Sequence, residues 1–422
     1  MNYTNIQELI KSGETVHFEC KEASFGLPNS VFETYSSMTN TDGGIVLLGI
    51  KENKDNHSFE IVGVKDEEKI INTFWNGLNN PEKVSENILI DKNVYPLDIE
   101  DKRIIVIEIP RANYNSRPVY INGNPYSGTY KRNNEGDYHS SKDEVNSMIR
   151  DKSSDGNDGV ILEGYSMDYI DIESLEKYRN VFSSYNLSHV WLDLPLVEFL
   201  EKLGGWAKDD KENIEGLTVA GFLMFGKGDL ISNKFSHLFM DYRDESFKND
   251  DVRWIDRITY DGTWECNLYN FFMKVNQKLT QDLPKPFHLE GIYRIDDTPV
   301  HKAVREALIN MIIHADYFIQ GTLKVIKRKD CFEISNPGIL KLSREQIYKG
   351  GDSAARNPTI QKMFRMIGLG DNAGSGFPTI LSVWEKQGYI QPDLKEDTVL
   401  NQVKLTLPFK KPAIKTGDKN RR

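Results

Sequence analysis

A mixed α+β fold is predicted for this chain. Short runs of branched and aromatic residues, bounded by turn formers, fill its first third, and a long segment near residue 300 carries apolar residues at helical spacing before further strand-like runs. At 422 residues the chain is too long for one ordinary core, and with 39% hydrophobic and 27% charged residues it has the composition of a globular protein of two or three domains.

Val16 to Lys21, Ile45 to Ile50 and Arg103 to Ile109 read as strands. A helix from about Ser30 to Met38 fits between the first two, with Val31, Tyr35 and Met38 at helical spacing. The stretch RPVYINGNPYSGTYKRN reads as a hairpin, Asn122-Gly123 supplying a turn with positive φ. RDKSSDGNDG, residues 150–159, loses all apolar period and marks the end of a first domain, 1–150. A mainly helical connector, 158–295, follows, with Ile172 to Phe182 and Pro195 to Leu203 helical and Leu217 to Phe225 a compact apolar run. Its segment DVRWIDRITYDGTWECNLYNFF reads as a packing surface, with a nucleic-acid platform as the alternative. A third domain, 296–410, opens with TPVHKAVREALINMIIHADY, a helix with Ala303, Val304, Ala307, Leu308, Met311 and Ile312 on its apolar face. Strands at Leu323–Arg328, Cys331–Ser335 and Leu400–Leu407 come after it. Residues 411–422 form a basic tail, read as a solvated end.

No run has the length of apolar residues that a membrane span needs, and MNYTNIQELIKSGE lacks the basic-then-apolar pattern of a signal peptide. Cys20, Cys266 and Cys331 are far apart, which suggests neither a disulfide framework nor a zinc knuckle. A cytoplasmic protein is expected. The net charge of −10 argues against nonspecific coating of DNA, which depends on concentrated Lys and Arg. Local basic patches remain, the clearest being Arg111, Arg117, Lys131 and Arg132.

Gly221 to Lys227, GFLMFGK, has the spacing of a phosphate-binding loop but not its physics. Four large apolar residues would bury themselves, and Gly228 stands where a hydroxyl would hold Mg²⁺, so the segment is read as core. The helix near residue 300 is more specific. Glu306, Asn310 and His314 recur every four residues and line one face, and two glycine-bearing segments follow, SNPGIL (335–340) and GLGDNAGSGFPTI (368–380). This order resembles the GHKL group of ATP-binding domains, in the divergent branch that follows a Schlafen-type domain. The resemblance implies an α/β sandwich in which Glu306 is the base or water-positioning residue and Asn310 the Mg²⁺ ligand. Gly338 would lie against adenine, and Gly374, Ser375 and Gly376 near phosphate. Asn336 stands where the group carries an Asp that reads the adenine amino group. The alternative is a fold kept as a scaffold or dimerisation unit.

In the first domain, Glu14, Glu19 and Glu52 sit at the ends of two strands with Lys21 close by, and carboxylates so gathered can hold a divalent cation against phosphate. Lys21 shares the strand face of Glu19. Glu14 has the opposite parity, so it must precede the regular strand to join them. The plainer alternative is a solvated edge-strand face. G-E-x-x-x-x-E-x-K, an N-T-D-G-G turn and a strand ending in G-I-K-E resemble the Schlafen/AlbA-type domain over the first 150 residues. In Schlafen relatives that cut tRNA and rRNA, two glutamates and an aspartate form a metal site. That resemblance places Mg²⁺ or Mn²⁺ on Glu14, Glu19 and Glu52, with Lys21 at the reacting phosphate. Arg111, Arg117, Lys131 and Arg132 would contact phosphates, and Tyr130 or Tyr138 would stack on an unpaired base.

The expected function is a metal-dependent RNA endonuclease acting on tRNA, gated by nucleotide binding or dimerisation of the C-terminal domain and, by family analogy, suited to phage defence. A noncatalytic DNA-binding transcriptional regulator with a nucleotide-sensing domain is the alternative, and an ATPase whose first domain recruits nucleic acid is a third. A homo-oligomer is expected in each case.

Overall fold

The computed structural model describes residues 6–7, 9–10, 13–53, 58–153, 156–247, 252–285, 289–290, 293–294, 297–370 and 376–411. The chain forms two compact units, Met1–Ser153 and Ser154–Arg422. Both are α+β.

In the first unit a four-stranded sheet runs in the order β1 (Phe18–Lys21), β2 (Gly44–Leu48), β6 (Lys102–Ile109), β5 (Val94–Ile99), with β1 parallel to β2 and the other pairs antiparallel. Two small hairpins complete it: β3 (Ile50–Asn53) with β4 (Ser58–Ile61), and β7 (Tyr130–Asn133) with β8 (Gly136–His139). Period-two alternation splits the core across the sheet. Val46, Leu48, Ile105 and Ile107 face α1 (Val31–Asn40) and α2 (Glu67–Leu78), while Phe18, Cys20, Leu47, Ile104 and Val106 form a second cluster on the other side.

Helix α1 is buried on nearly every side, including its Thr and Ser residues, and those polar groups find backbone partners. Ser36 Oγ donates to the Val119 carbonyl at 2.7 Å, and Asn40 exchanges two bonds with Val119, Nδ2 donating at 2.7 Å and Oδ1 accepting at 2.8 Å. The segment leading into β7 is thereby fastened to the helix. The expected turn at Asn122-Gly123 is present, both residues having positive φ. The regular hairpin lies further on, however, between β7 and β8, because Pro125–Gly128 turns helical before the strand begins, and α3 (Lys142–Asp151) follows it.

In the second unit six strands run in the order β10 (Asp256–Thr259), β9 (Leu238–Asp244), β11 (Gly321–Lys327), β12 (Cys331–Pro337), β14 (Gln402–Pro408), β13 (Asp393–Asp397). Only the β9–β11 pair is parallel. One sheet face, carrying Leu323, Val325, Phe332, Ile334, Val403, Leu405 and Leu407, is covered by a helical layer. That layer comprises α4 (Ile172–Tyr185), α5 (Leu196–Leu203), α6 (Val219–Phe225), α7 (Leu268–Thr280), α8 (Pro299–His314), α9 (Pro358–Met366) and α10 (Gly376–Gln387). Trp384 of α10 is wholly buried, its Nε1 donating to the Pro408 carbonyl at 2.7 Å, and full burial of a side chain of this kind stabilises by about 3 kcal/mol.

Residues 158–295 and 296–410, expected as separate domains, thus share one core and one sheet, the former contributing β9 and β10 to it. GFLMFGK falls in and just after α6, all of whose residues are buried. A Cβ at Gly221 would meet the Gly205 carbonyl at 2.0 Å, so glycine here permits close packing and cradles no phosphate. The aromatic segment divides: Leu268, Tyr269, Phe271 and Phe272 are core, whereas Trp254, Ile255 and Tyr260 are exposed.

Candidate functional site

At the free edge of the first sheet the chain reverses before β1. Thr15 and Phe18 exchange backbone hydrogen bonds at 3.1 and 3.2 Å, and this turn brings Glu14 back so that its Oε1 accepts from the Cys20 N–H at 2.8 Å. The parity obstacle is removed, since the regular strand starts at Phe18 and not at Val16. Burial, with the Glu19 and Glu52 carboxylates adding to it, raises the Glu14 pKa to about 7 against the pull of the Cys20 N–H and Arg132. Burial and the same three carboxylates push the Cys20 thiol up. The charges of Glu19 and Glu52 are thus both felt at Glu14.

Glu19 is already engaged. Its Oε1 takes Lys21 Nζ at 2.8 Å and its Oε2 takes Arg132 Nη2 at 2.5 Å. Arg132, on β7, also binds Asp137 Oδ1 at 2.9 Å, and Asp137 in turn accepts from Thr34 Oγ1 at 2.6 Å and from Ser37 Oγ. Among the described residues no group of three His, Cys, Asp or Glu side chains is arranged to hold a metal ion. In this arrangement the carboxylate edge does not fit Mg²⁺ or Mn²⁺, because both oxygens of Glu19 are bound to cationic side chains.

The residues expected at phosphates are placed unevenly. Arg117 and Arg132 are each 1% exposed, so neither offers its guanidinium to an external phosphate. The sequence signal for them, two basic residues in strand-like context, does not distinguish a surface cation from a buried ion-pair partner. Arg111 binds Asp42 at 2.8 Å, and Lys131 binds Glu144 at 2.5 Å. Tyr130 is half-buried with its ring 4.3 Å from that of His139, while Tyr138 is exposed.

In the second unit, α8 is capped by the Thr298 hydroxyl, which accepts from the His301 N–H, and has Pro299 in its first turn. At its other end Asn357 Nδ2 reaches the Ile312, Ile313 and Ala315 carbonyls, and Arg356 Nη1 donates to His314 O at 2.6 Å, so the orphan carbonyls are met by side chains. Between α8, β12 and the start of α10 lies a cavity of about 140 Å³, room for about five waters. Glu306, Asn310, Asn336 and Gly376 all line it, with Ile334, Leu394, Val403 and Leu405 as apolar wall. A Cβ on Gly376 would meet Glu306 Oε1 at 2.2 Å and Asn310 Nδ2 at 3.3 Å, so glycine lets α10 close onto both residues.

Gly338 is set apart from this lining. Its φ of +96° and the 2.7 Å that a Cβ would leave to Arg356 Nη1 make glycine the residue that this turn requires. Gly374 and Ser375 lie outside the described residues, as do residues 412–422 of the tail. Sequence reasoning missed Arg356, Lys341 and Asp352, which also line the cavity. No helical or strand period marks loop residues such as these.

Comparison with known families matches residues 14–141 to the model "Schlafen, AlbA_2" and residues 323–407 to one described as "Putative ATP-dependent DNA helicase recG C-terminal". Residues 146–241 match a domain of unknown function, DUF8451. The chain thus joins a Schlafen/AlbA_2 domain to a RecG C-terminal-like domain, a pairing that suggests a nucleic-acid-related function. Among solved structures it is similar to the DIP2311 protein of Corynebacterium diphtheriae, with 17% identity, 97% of this chain and 69% of that one covered, and a TM-score of 0.45. It is also similar to the N-terminal domain of a "Putative ATP-dependent DNA Helicase RecG-related Protein" from Nitrosomonas europaea, with 24% identity, 32% and 90% covered, and a TM-score of 0.26. The search of curated proteins returned no match. Among the described residues no helix is long and apolar enough to cross a membrane.

Proposed function

We propose that the second unit binds an adenine nucleotide in the α8 cavity and that nucleotide binding governs how the first unit acts on nucleic acid. The observation that carries this reading is the convergence of Glu306, Asn310, Asn336 and Gly376 on one cavity, from three elements far apart in sequence. Its chemistry fits the ligand: apolar walls suit a purine ring, and a few polar groups fix its orientation. The buried Asn336 amide is the group to read the base, and Asn310 the one to hold a Mg²⁺ that neutralises phosphate charge. Glu306, one helical turn from Asn310, is placed to orient water. Calorimetric titration of the full chain with ATP and ADP tests the reading. Binding that is lost in Asn310→Ala supports it, and absence of heat from the unaltered protein overturns it.

A second reading, RNA cleavage with tRNA as substrate, is favoured by the turn that brings Glu14 back onto the Cys20 N–H, next to Glu19 on β1. It requires Arg132 and Lys21 to release Glu19 before a cation can be held. Labelled tRNA and duplex DNA, incubated with the protein and Mg²⁺ or Mn²⁺ beside Glu19→Gln, decide it. Cleavage lost in the variant establishes an endonuclease, whereas binding without cleavage favours a transcriptional regulator.

A further inference from the structure

We infer that Phe25 and Lys65 form a stacking platform for an unpaired base of a single-stranded nucleic acid, an inference that rests on the nucleic-acid reading of the first unit. Phe25 is 92% exposed, the most exposed large apolar side chain among the described residues. Lys65 Nζ stands 4.9 Å from its ring centroid. A single exposed phenyl ring is ordinary in itself, and what marks this one is the ammonium set over it.

The ring is held outward by its own loop. Ala23 is buried and Leu27 packs against the same core, so the residues on either side anchor the loop while Phe25 points away. A turn, with the Gly26 N–H donating to the Ala23 carbonyl at 3.4 Å, fixes the reversal between them. Lys65 is mounted as firmly. Val64 donates its N–H to the Arg103 carbonyl at 2.7 Å, and Asp66 caps α2 through the Lys69 N–H at 3.0 Å. Two anchored segments thus present one free aromatic face beside one exposed ammonium.

That pairing matches the chemistry of a nucleotide in a single strand. A base stacks on an aromatic face whatever its sequence, and a neighbouring cation answers the phosphate. A duplex hides the faces of its bases and cannot use the ring. The loop also follows β1 directly, the strand that carries Glu19 and Lys21, so a nucleotide stacked on Phe25 lies on the chain segment leaving the carboxylate edge.

The test is fluorescence anisotropy of the full chain with a labelled oligouridine 12-mer and with a duplex of the same length, comparing the unaltered protein with Phe25→Ala, Phe25→Tyr and Lys65→Gln. Phe25→Ala is expected to weaken single-strand binding roughly 5- to 150-fold, the span of one lost stacking contact, with Phe25→Tyr retaining it. Lys65→Gln should lower the salt dependence by about one phosphate contact, a slope change of about 0.7. Unchanged binding by Phe25→Ala overturns the platform and leaves the nucleic-acid reading standing. An equal loss on the duplex overturns stacking on an unpaired base. No binding of either nucleic acid by the unaltered protein overturns both inferences.

Discussion

Arg132 Nη2 meets Glu19 Oε2 at 2.5 Å across 113 residues of sequence, with the arginine side chain 1% exposed and the glutamate 12%. The same guanidinium holds Asp137, so one cation compensates two carboxylates that have little access to water. Arg132→Met leaves both without that partner. Removing one member of a buried ion pair costs about 3–5 kcal/mol, and a loss of that size is expected in the urea unfolding of the first unit. Glu19→Gln in the same chain should recover part of it, because one of the stranded charges is then gone.

Glu14 should titrate near neutrality. Its pKa lies at about 7 through burial and the charges of Glu19 and Glu52, and protonation relieves both effects. The sign follows: the folded state favours the protonated form, so the contribution of Glu14 to stability is complete at acidic pH and is lost as pH rises through 7. Carbon-13 NMR of labelled glutamate is expected to show this midpoint, moved downward by Glu52→Gln. A midpoint near 4.5 would contradict the crowding.

Gly376→Ala should weaken the proposed nucleotide binding about tenfold, or ~1.4 kcal/mol, because the methyl enters the cavity that Gly376 lines. The added methyl falls 2.2 Å from Glu306 Oε1, so the carboxylate must swing away from α10. The remainder of α10 keeps its core contacts, notably Trp384, so thermal unfolding should change little while calorimetric ADP affinity falls.

Asp158 gives the second unit its own pH dependence. It is wholly buried, and burial lifts its pKa to about 6 although the Ile360 and Thr359 N–H groups donate to it at 2.7 and 3.3 Å and pull it down. A raised carboxyl pKa means stability that is full below pH 3.8 and declines as pH rises through 6, by about 3 kcal/mol from this group. Asp158→Asn should flatten that slope in a pH series of denaturation midpoints.

Local periodicity made much of this fold legible. The Val31, Tyr35, Met38 spacing became a helix within two residues of its expected ends, and the Ala303 to Ile312 face became one that starts at Pro299 and stops at His314, three residues short of the expected Tyr317. What stayed hidden depends on distant partners. LFMDYRD, the strand β9, mixes charge with aromatics and is fixed by its parallel register with β11, Leu238 facing Gly321. Arg132 looked like a surface cation for the same reason, since its burial is decided by Glu19 and Asp137. The α8 cavity was more legible: Glu306 and Asn310 share a helix face, so one local period places both in its lining, whereas Arg356 on a loop has no such mark.

The sheet of the second unit is threaded through chain that lies on both sides of any cut between its expected parts. Excising residues 323–407, the stretch that resembles a RecG C-terminal segment, would discard Glu306 and Asn310 together with α8 and would bare the edge of β11 where β9 now pairs. The α8 cavity is accordingly not a module that recombination can pass between proteins by that segment alone. Its inheritance is tied to the preceding hundred residues, and changes in those residues reach the pocket through shared strands without touching a ligand.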